Sequence, residues 1–99
     1  MPRSKIDRIR QRIRLRQYDM SAHAMEEMAE DALDVIDVET AVCNGRIIRT
    51  EEHDPRGAKH VVEGIGSDQC RSVGVVGRFT DTGRYLIITV YEITHDQTK

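Results

Sequence analysis

Three side chains that can move a proton or hold a phosphate group stand out in the sequence: His23, Arg71 and Tyr91. An imidazole or a phenol can carry a proton to or from a reacting oxygen, and a guanidinium can stabilise charge on a scissile phosphate. His23 or Tyr91 in proton transfer and Arg71 at the phosphate are what cleavage of RNA without a metal requires. For His23, a hydrogen bond to neighbouring backbone is the competing structural interpretation.

The other histidines point to no additional site. His60 lies inside a predicted strand, where alternation sends it and its neighbour Lys59 to opposite faces. His53 stands beside a turn and His95 near the end of the chain, where exposure to solvent is the ordinary state. The chain carries no phosphate-binding glycine loop, no H-E-x-x-H and no G-x-S-x-G pattern. We therefore predict neither a metal nor a cofactor.

The composition is typical of a small globular domain: 99 residues, 38% hydrophobic and 32% charged. Such a chain buries one core, so we expect a single domain over residues 1–99. No apolar run approaches the about 20 residues of a membrane helix, and no apolar signal segment follows the basic N-terminus. These two features predict a cytoplasmic protein without membrane contact. Cys43 and Cys70 form no C-x-x-C unit, and in the cytoplasm we expect both to be reduced thiols.

Charge is segregated along the chain although the net charge is only −2. The first seventeen residues hold seven Arg or Lys and one acid, and residues 26–39 hold seven Asp or Glu without Arg or Lys. This asymmetry predicts either a polyanion-binding end or two segments that pair with each other or with a second copy of the chain. The predicted contacts to RNA or to a protein partner are Arg8, Arg12, Arg16, Lys59 and Arg78.

The basic segment, residues 1–16, combines strand-like alternation in RIRQRIRLR with a helix start. Ser4 followed by Asp7 is a capping-box pattern, and three isoleucines then follow at helical spacing. These signals predict a helix from about Lys5 to Arg14 and a short strand from Tyr18 to Met20.

Residues 17–44 carry two further helical patterns. Ser21 is the predicted N-cap of the first of these helices. We expect its apolar face to pack on the core and its acidic residues to lie on the opposite face. That predicted face consists of Ala22, Met25, Met28, Ala29 and Ala32. Asp34 or Asp37 caps the last helix, and Asn44-Gly45 ends it because both residues tolerate the left-handed conformation.

From residue 45 onward the hydrophobic period changes to two and β-branched residues predominate. The predicted strands are residues 46–52, 59–65, 71–80 and 84–93. In the last strand, strict alternation places Leu86 and Val90 on one face and Ile87 and Tyr91 on the other. Helices followed by hairpin-connected strands predict an α+β fold, with two to three N-terminal helices packed on a mostly antiparallel sheet of four to five strands.

Three stretches resemble a small prokaryotic family, domain of unknown function 4258: YDMSAHAMEEM, DVETAVCNGRII and LIITVYE. The S-x-H-A and I-T-V-Y-E parts are the distinctive ones. The family looks like a distant relative of the RelE, BrnT and MqsR toxins of type II toxin–antitoxin systems, small α+β domains of which many cleave messenger RNA without a metal. The resemblance therefore implies a RelE-like fold and ribonuclease activity. It singles out His23, Asn44, Gly45, Gly64, Arg71, Thr89, Tyr91 and Glu92.

The chain departs from the family pattern H-A-x-x-R-M-x-x-R, because Glu27 and Asp31 stand where that pattern has arginines. If those arginines contact RNA phosphate in relatives, the reversed charge beside His23 would repel it. Either the basic N-terminal segment takes their place, or the domain has lost nuclease activity.

These sequence features are compatible with three different functions. The first is a ribonuclease toxin that acts on RNA or at the ribosome and is held by a cognate antitoxin. The second is a non-enzymatic module, homodimeric or attached to an acidic partner, whose basic N-terminal segment docks on carboxylates. The third is nucleic-acid binding by the first helix through phosphate contacts alone, because stacking aromatics are absent there.

Overall fold

The computed structural model describes residues 4–94, which form three helices on one five-stranded sheet. The elements are α1 (Lys5–Arg14), β1 (Tyr18–Met20), α2 (Ala22–Glu30), α3 (Val35–Asn44), β2 (Arg46–Glu51), β3 (Lys59–Ile65), β4 (Ser72–Phe79) and β5 (Tyr85–Ile93). The predicted α+β fold is confirmed, and the predicted strand bounds differ from these by at most one residue at either end. None of the described helices is long and apolar enough to cross a membrane.

The sheet is mixed, with strand order β1-β5-β4-β3-β2. Neighbouring strands are antiparallel except β1, which pairs in parallel with β5 at one edge. Buried residues of all three helices and of one sheet face form a single core cluster. The strand residues in this cluster are Val62, Val73, Val75, Tyr85, Ile87 and Val90.

Local capping starts α1 where the sequence predicts it. The Ser4 hydroxyl accepts a hydrogen bond from the Asp7 N–H at 3.3 Å, and Ile9 and Ile13 are buried on the inner stripe of the helix. At the end of the helix, the Arg16 N–H donates to the Ile13 carbonyl and the Gln17 N–H donates to the Arg12 carbonyl. Arg16 itself adopts a left-handed conformation, with φ 58°. The alternating arginines of RIRQRIRLR therefore lie on a helix and do not form one flat strand face.

The predicted core face of α2 is confirmed at Met28 and wrong at Ala22, Met25, Ala29 and Ala32, which are exposed. Ala24 and Met28 are buried, whereas Met25 is 53% exposed. The reason lies at the edge of β5, where β1 is too short to pair beyond Ile87. Carboxylates of α2 replace the missing strand: the Val90 N–H donates to Glu27 Oε1 at 3.0 Å and the Glu92 N–H to Asp31 Oδ2 at 3.1 Å. Leaving backbone N–H groups without a partner costs more than exposing a methionine.

Strict alternation along β5 is also wrong. Ile87 pairs with Gly77 and Thr89 with Val76, so that Ile88 is an extra residue in the strand. This bulge puts Ile87 and Val90 on the same core-facing side. Tyr91 consequently lies on the opposite face of the sheet, where it covers Gly74.

Gly45 ends α3 for a reason other than the predicted left-handed conformation. Its backbone is extended, with φ −89° and ψ −172°. A Cβ atom at this position would lie 2.4 Å from the Glu63 carbonyl oxygen, so only glycine permits the close approach of α3 to β3. The Asn44 side chain fixes this junction with two hydrogen bonds of 2.8 Å to the Ile65 backbone.

Candidate nucleic-acid interface

The three predicted catalytic residues occupy separate places. His23 lies in the first turn of α2 with a 63% exposed side chain, and its Nε2 is 3.3 Å from Glu27 Oε2. Arg71 contacts the other end of the same helix, at the Asp31 carbonyl. Eight residues separate the two positions, which is about 12 Å at 1.5 Å per residue. Tyr91 lies on the sheet face away from the helices. The structure does not bring these side chains into one site, and their catalytic role stays a prediction.

Arg71 closes the C-terminal end of α2. Its Nη1 donates to the Asp31 carbonyl at 2.9 Å and its Nη2 to the Ala32 carbonyl at 3.0 Å. A cation is favoured there because the last carbonyls of a helix carry partial negative charge. The guanidinium also lies within 4 Å of three carboxylates, those of Asp37, Asp68 and Glu92. These contacts occupy the guanidinium within the fold.

Asp37, one of these carboxylates, is itself a structural group. It accepts the Asp34 N–H to complete the capping box of α3, and it accepts both the hydroxyl and the N–H of Ser67 at 2.6 and 3.0 Å. The Ser67 hydroxyl, together with the backbone N–H groups and Arg71, lowers the pKa of Asp37. A buried carboxylate that is kept ionised in this way anchors α3 and the β3–β4 turn to Arg71.

Tyr91 lies flat across β4. A Cβ atom at Gly74 would be 2.2 Å from Tyr91 Cζ, so the ring occupies the space that a larger residue at position 74 would fill. Burial raises the pKa of the Tyr91 phenol, the Glu63 carboxylate raises it further and Arg49 opposes the shift. The hydroxyl therefore keeps its proton at neutral pH and can serve as a hydrogen-bond donor.

His60 is a core residue, with an exposed fraction of 1%. Its Nδ1 is 3.3 Å from the Tyr85 hydroxyl, and its ring packs beside Phe79 and Tyr85. Burial lowers the pKa of His60, and the positive charge of Lys5 lowers it further. A neutral, enclosed imidazole of this kind contributes to packing.

Four of the five predicted basic contact residues lie at one end of the sheet. Lys59 begins β3 and Arg78 is the penultimate residue of β4. From α1, the Arg8 guanidinium stacks 4.8 Å from the centre of the ring of Phe79, the last residue of β4. Arg12 Nε donates to the Gly83 carbonyl at 2.6 Å, in the turn between β4 and β5. We call this region the basic end and define it as Arg8, Arg12, Arg56, Lys59, Arg78 and Arg84.

Two clefts lie on either side of the β4–β5 turn and share Thr82. The first has a volume of about 490 Å³ and is lined by Arg56 and Arg78, together with one acid, Asp81. The second has a volume of about 410 Å³ and is lined by Arg12 and Arg84. Arg56 was missed as a contact residue because its only sequence signal is its place in the turn Asp54-Pro55-Arg56-Gly57, which the fold brings beside the β4–β5 turn.

Part of this charge is neutralised locally. Arg84 Nε is 2.8 Å from Asp19 Oδ2, and Asp54 lies within 4 Å of both Lys59 and Arg56. Within residues 4–94, no carboxylate lies within 4 Å of the charged groups of the other three, which are Arg8, Arg12 and Arg78. The basic end thus retains unpaired guanidinium groups.

The basic and acidic segments do not neutralise each other inside the described part of the chain. The ion pair of α1 is internal, between Arg10 and Asp7 at 3.4 Å, and within residues 4–94 no ion pair joins α1 to an acid of residues 26–39. Arg16, the fifth predicted contact residue, lies in a different cleft between α1 and α3. Residues 4–94 also contain no group of three or more His, Cys, Asp or Glu side chains that could hold a metal ion.

Comparison with known families identifies one over most of the chain. The model of a family described as domain of unknown function, DUF4258, matches residues 20–92. No curated protein and no solved structure matches the chain. The matched range contains His23, Arg71 and Tyr91, whereas α1 with Arg8 and Arg12 precedes it. Since the match spans well over half of the chain, the protein belongs to the DUF4258 family.

Proposed function

We propose that this domain binds RNA through phosphate contacts at the basic end. The observation that carries the proposal is the pair of adjoining clefts, in which four arginines flank the β4–β5 turn. A guanidinium can donate two parallel hydrogen bonds to phosphate oxygens, which makes arginine well suited to a nucleic-acid backbone. The unpaired Arg8, Arg12 and Arg78 supply charge that phosphate groups can neutralise with release of counterions.

The shape of this surface supports contact with a backbone over more than one phosphate. Thr82 lines both clefts, so a strand that crosses the turn can pass from Arg78 to Arg12 without leaving the surface. The Thr80 hydroxyl donates to the Arg84 carbonyl at 3.2 Å and lies 3.1 Å from the Thr82 hydroxyl, so these two groups fix the turn that carries the arginines. Phe79 offers no free face for a base on the side that Arg8 covers. Binding should therefore tolerate many sequences and weaken steeply with salt.

Cleavage of the bound RNA is not part of this proposal. Neither cleft is lined by a histidine or a tyrosine of the described residues, and such a group must lie within reach of the proton that it transfers. The prediction of a toxin-like ribonuclease related to RelE stays a hypothesis on the family resemblance. It requires that induction of the protein arrests growth and that His23→Ala or Arg71→Ala relieves the arrest.

The test is fluorescence anisotropy of a labelled single-stranded RNA, titrated with the protein at several salt concentrations. Arg12→Gln and Arg78→Gln should each weaken binding several-fold, and each lost phosphate contact should reduce the slope of log K against log salt by about 0.7. Arg46→Gln is the matched control, because Arg46 is an exposed arginine at the start of β2, outside the basic end. Equal losses for Arg46→Gln and Arg78→Gln would overturn the proposal.

Gel analysis of the same RNA after incubation separates the competing functions. Intact RNA with salt-dependent binding supports a binding module. RNA shortened by the wild-type protein and left intact by His23→Ala supports the ribonuclease hypothesis instead. A protein that binds no RNA at low salt would leave the docking of the basic segment on an acidic protein partner as the better explanation.

A further inference from the structure

A third cleft, between α1 and α3, is separate from the basic end. It has a volume of about 400 Å³, and its lining includes Ile13 and Arg14 of α1 and Arg16 just after the helix. The lining residues of α3 include Thr40 and Cys43. Ile13 is 2% exposed and belongs to the core, so the nonpolar surface of the cleft comes from the partly buried Cys43. The cleft therefore combines a nonpolar surface with two exposed guanidinium groups at its rim.

The electrostatics of this cleft favour an anion. Arg14 and Arg16 form no ion pair with any carboxylate of residues 4–94. The one acid in the lining, Glu39, accepts the hydroxyl proton of Tyr18 in a short hydrogen bond. Tyr18 is neutral and does not cancel the charge of this acid, so the lining combines two arginines with one glutamate and keeps an excess of positive charge at the rim.

The position of Arg16 at the cleft is fixed by its backbone conformation. Arg16 follows the C-cap of α1 and adopts φ 58°, a conformation that glycine occupies at lower cost. Ala32 holds the equivalent position after α2 with φ 53°, but its side chain carries no charge. Of the two left-handed helix ends among residues 4–94, that at Arg16 is the one that presents a guanidinium to a cleft.

We propose that the α1–α3 cleft binds a small phosphomonoester that carries a nonpolar ring or chain. The two guanidinium groups can each donate hydrogen bonds to the oxygens of a phosphomonoester, which offers them more acceptors than a carboxylate does. The nonpolar part of the ligand packs on the accessible part of Cys43, and Thr40 offers a hydroxyl beside it. This site is independent of RNA binding at the basic end.

The probe is phenyl phosphate, titrated into the full-length protein and followed by calorimetry and by two-dimensional NMR. Phenyl phosphate should bind and shift the amide signals of Thr40 and Cys43. Inorganic phosphate should bind about tenfold more weakly because it lacks the nonpolar part, and phenol should not bind measurably. A 5′-phosphorylated RNA oligonucleotide that displaces the probe would identify an RNA end as the source of the phosphate, and failure to displace it would favour a small metabolite.

Arg16→Gly and Ala32→Gly form a matched pair of variants. Both relieve a left-handed backbone, so both should raise Tm, which also shows that the variants fold. Only Arg16→Gly should weaken phenyl phosphate binding, by about tenfold for one lost ion pair. Arg78→Gln should leave this binding unchanged. The proposal fails if folded wild-type protein binds no phenyl phosphate, if Arg16→Gly binds it as well as wild type, or if Arg78→Gln abolishes binding.

Discussion

Replacement of Arg71 by methionine distinguishes a structural from a catalytic arginine. The guanidinium donates to two carbonyls at the end of α2, and its side chain is 28% exposed. A hydrogen bond from a charged donor contributes about 1.5–3 kcal/mol when buried, and partial exposure puts these two near the lower end. Arg71→Met removes both hydrogen bonds and the positive charge beside Asp37. We therefore expect the free energy of unfolding to decrease by about 3 kcal/mol.

That decrease is a large part of the about 5–15 kcal/mol that stabilises a typical domain. Urea unfolding followed by circular dichroism measures it, with an unchanged m-value showing that the same surface unfolds. Arg71→Lys should cost about half as much, because an ammonium group cannot reproduce the fork that spans both carbonyls.

Arg78→Met is the matched control, since Arg78 forms no ion pair among the described residues and its replacement should change stability by less than about 0.5 kcal/mol. The structural explanation of Arg71 is refuted if Arg71→Met unfolds within about 1 kcal/mol of wild type. If that variant also lost a ribonuclease activity of the wild type, the predicted catalytic role would be the better explanation.

Two further predictions concern the sheet. Because burial lowers the pKa of His60 in the folded state below its ordinary 6.5, the unfolded chain binds the extra proton first. The stability that depends on neutral His60 should be complete above pH 6.5 and fall progressively as the pH drops below it, whereas His60→Leu should flatten this part of the pH profile. Gly74→Ala should destabilise the domain by about 1–3 kcal/mol, because its Cβ atom would collide with the Tyr91 ring. Chemical denaturation should show a smaller cost in a Tyr91→Ala background; an equal cost there would contradict the contact.

The sequence predicts most of the element bounds because their signals are local. Ser4 and Ser21 each accept an N–H three residues later, and Asp34 forms a reciprocal pair with Asp37. Partners only three residues apart are visible in the chain itself. The same holds for the change from helical to alternating periodicity at residue 45, which predicts the order of helices and strands.

The candidate interface could be predicted only in part. Charge composition selects Arg8, Arg12, Lys59 and Arg78 as contacts to RNA or a protein partner, which stays a prediction, and only the structure shows that these four lie at one end of the sheet. Charge composition cannot show that Arg56 lies beside these four residues, because the position of Arg56 depends on which turns the sheet topology places side by side. It also cannot separate these arginines from Arg71, whose contacts lie up to 40 residues away along the chain.

Tertiary structure alone decided which side of α2 is buried. Periodicity favours the alanines and Met25, but β1 ends too early to pair with the second half of β5. The backbone N–H groups exposed at that edge need acceptors, and Glu27 and Asp31 provide them. A sequence specifies local hydrogen bonds directly, whereas an unpaired N–H exists only after the sheet has formed, so its partner cannot be found from local pattern.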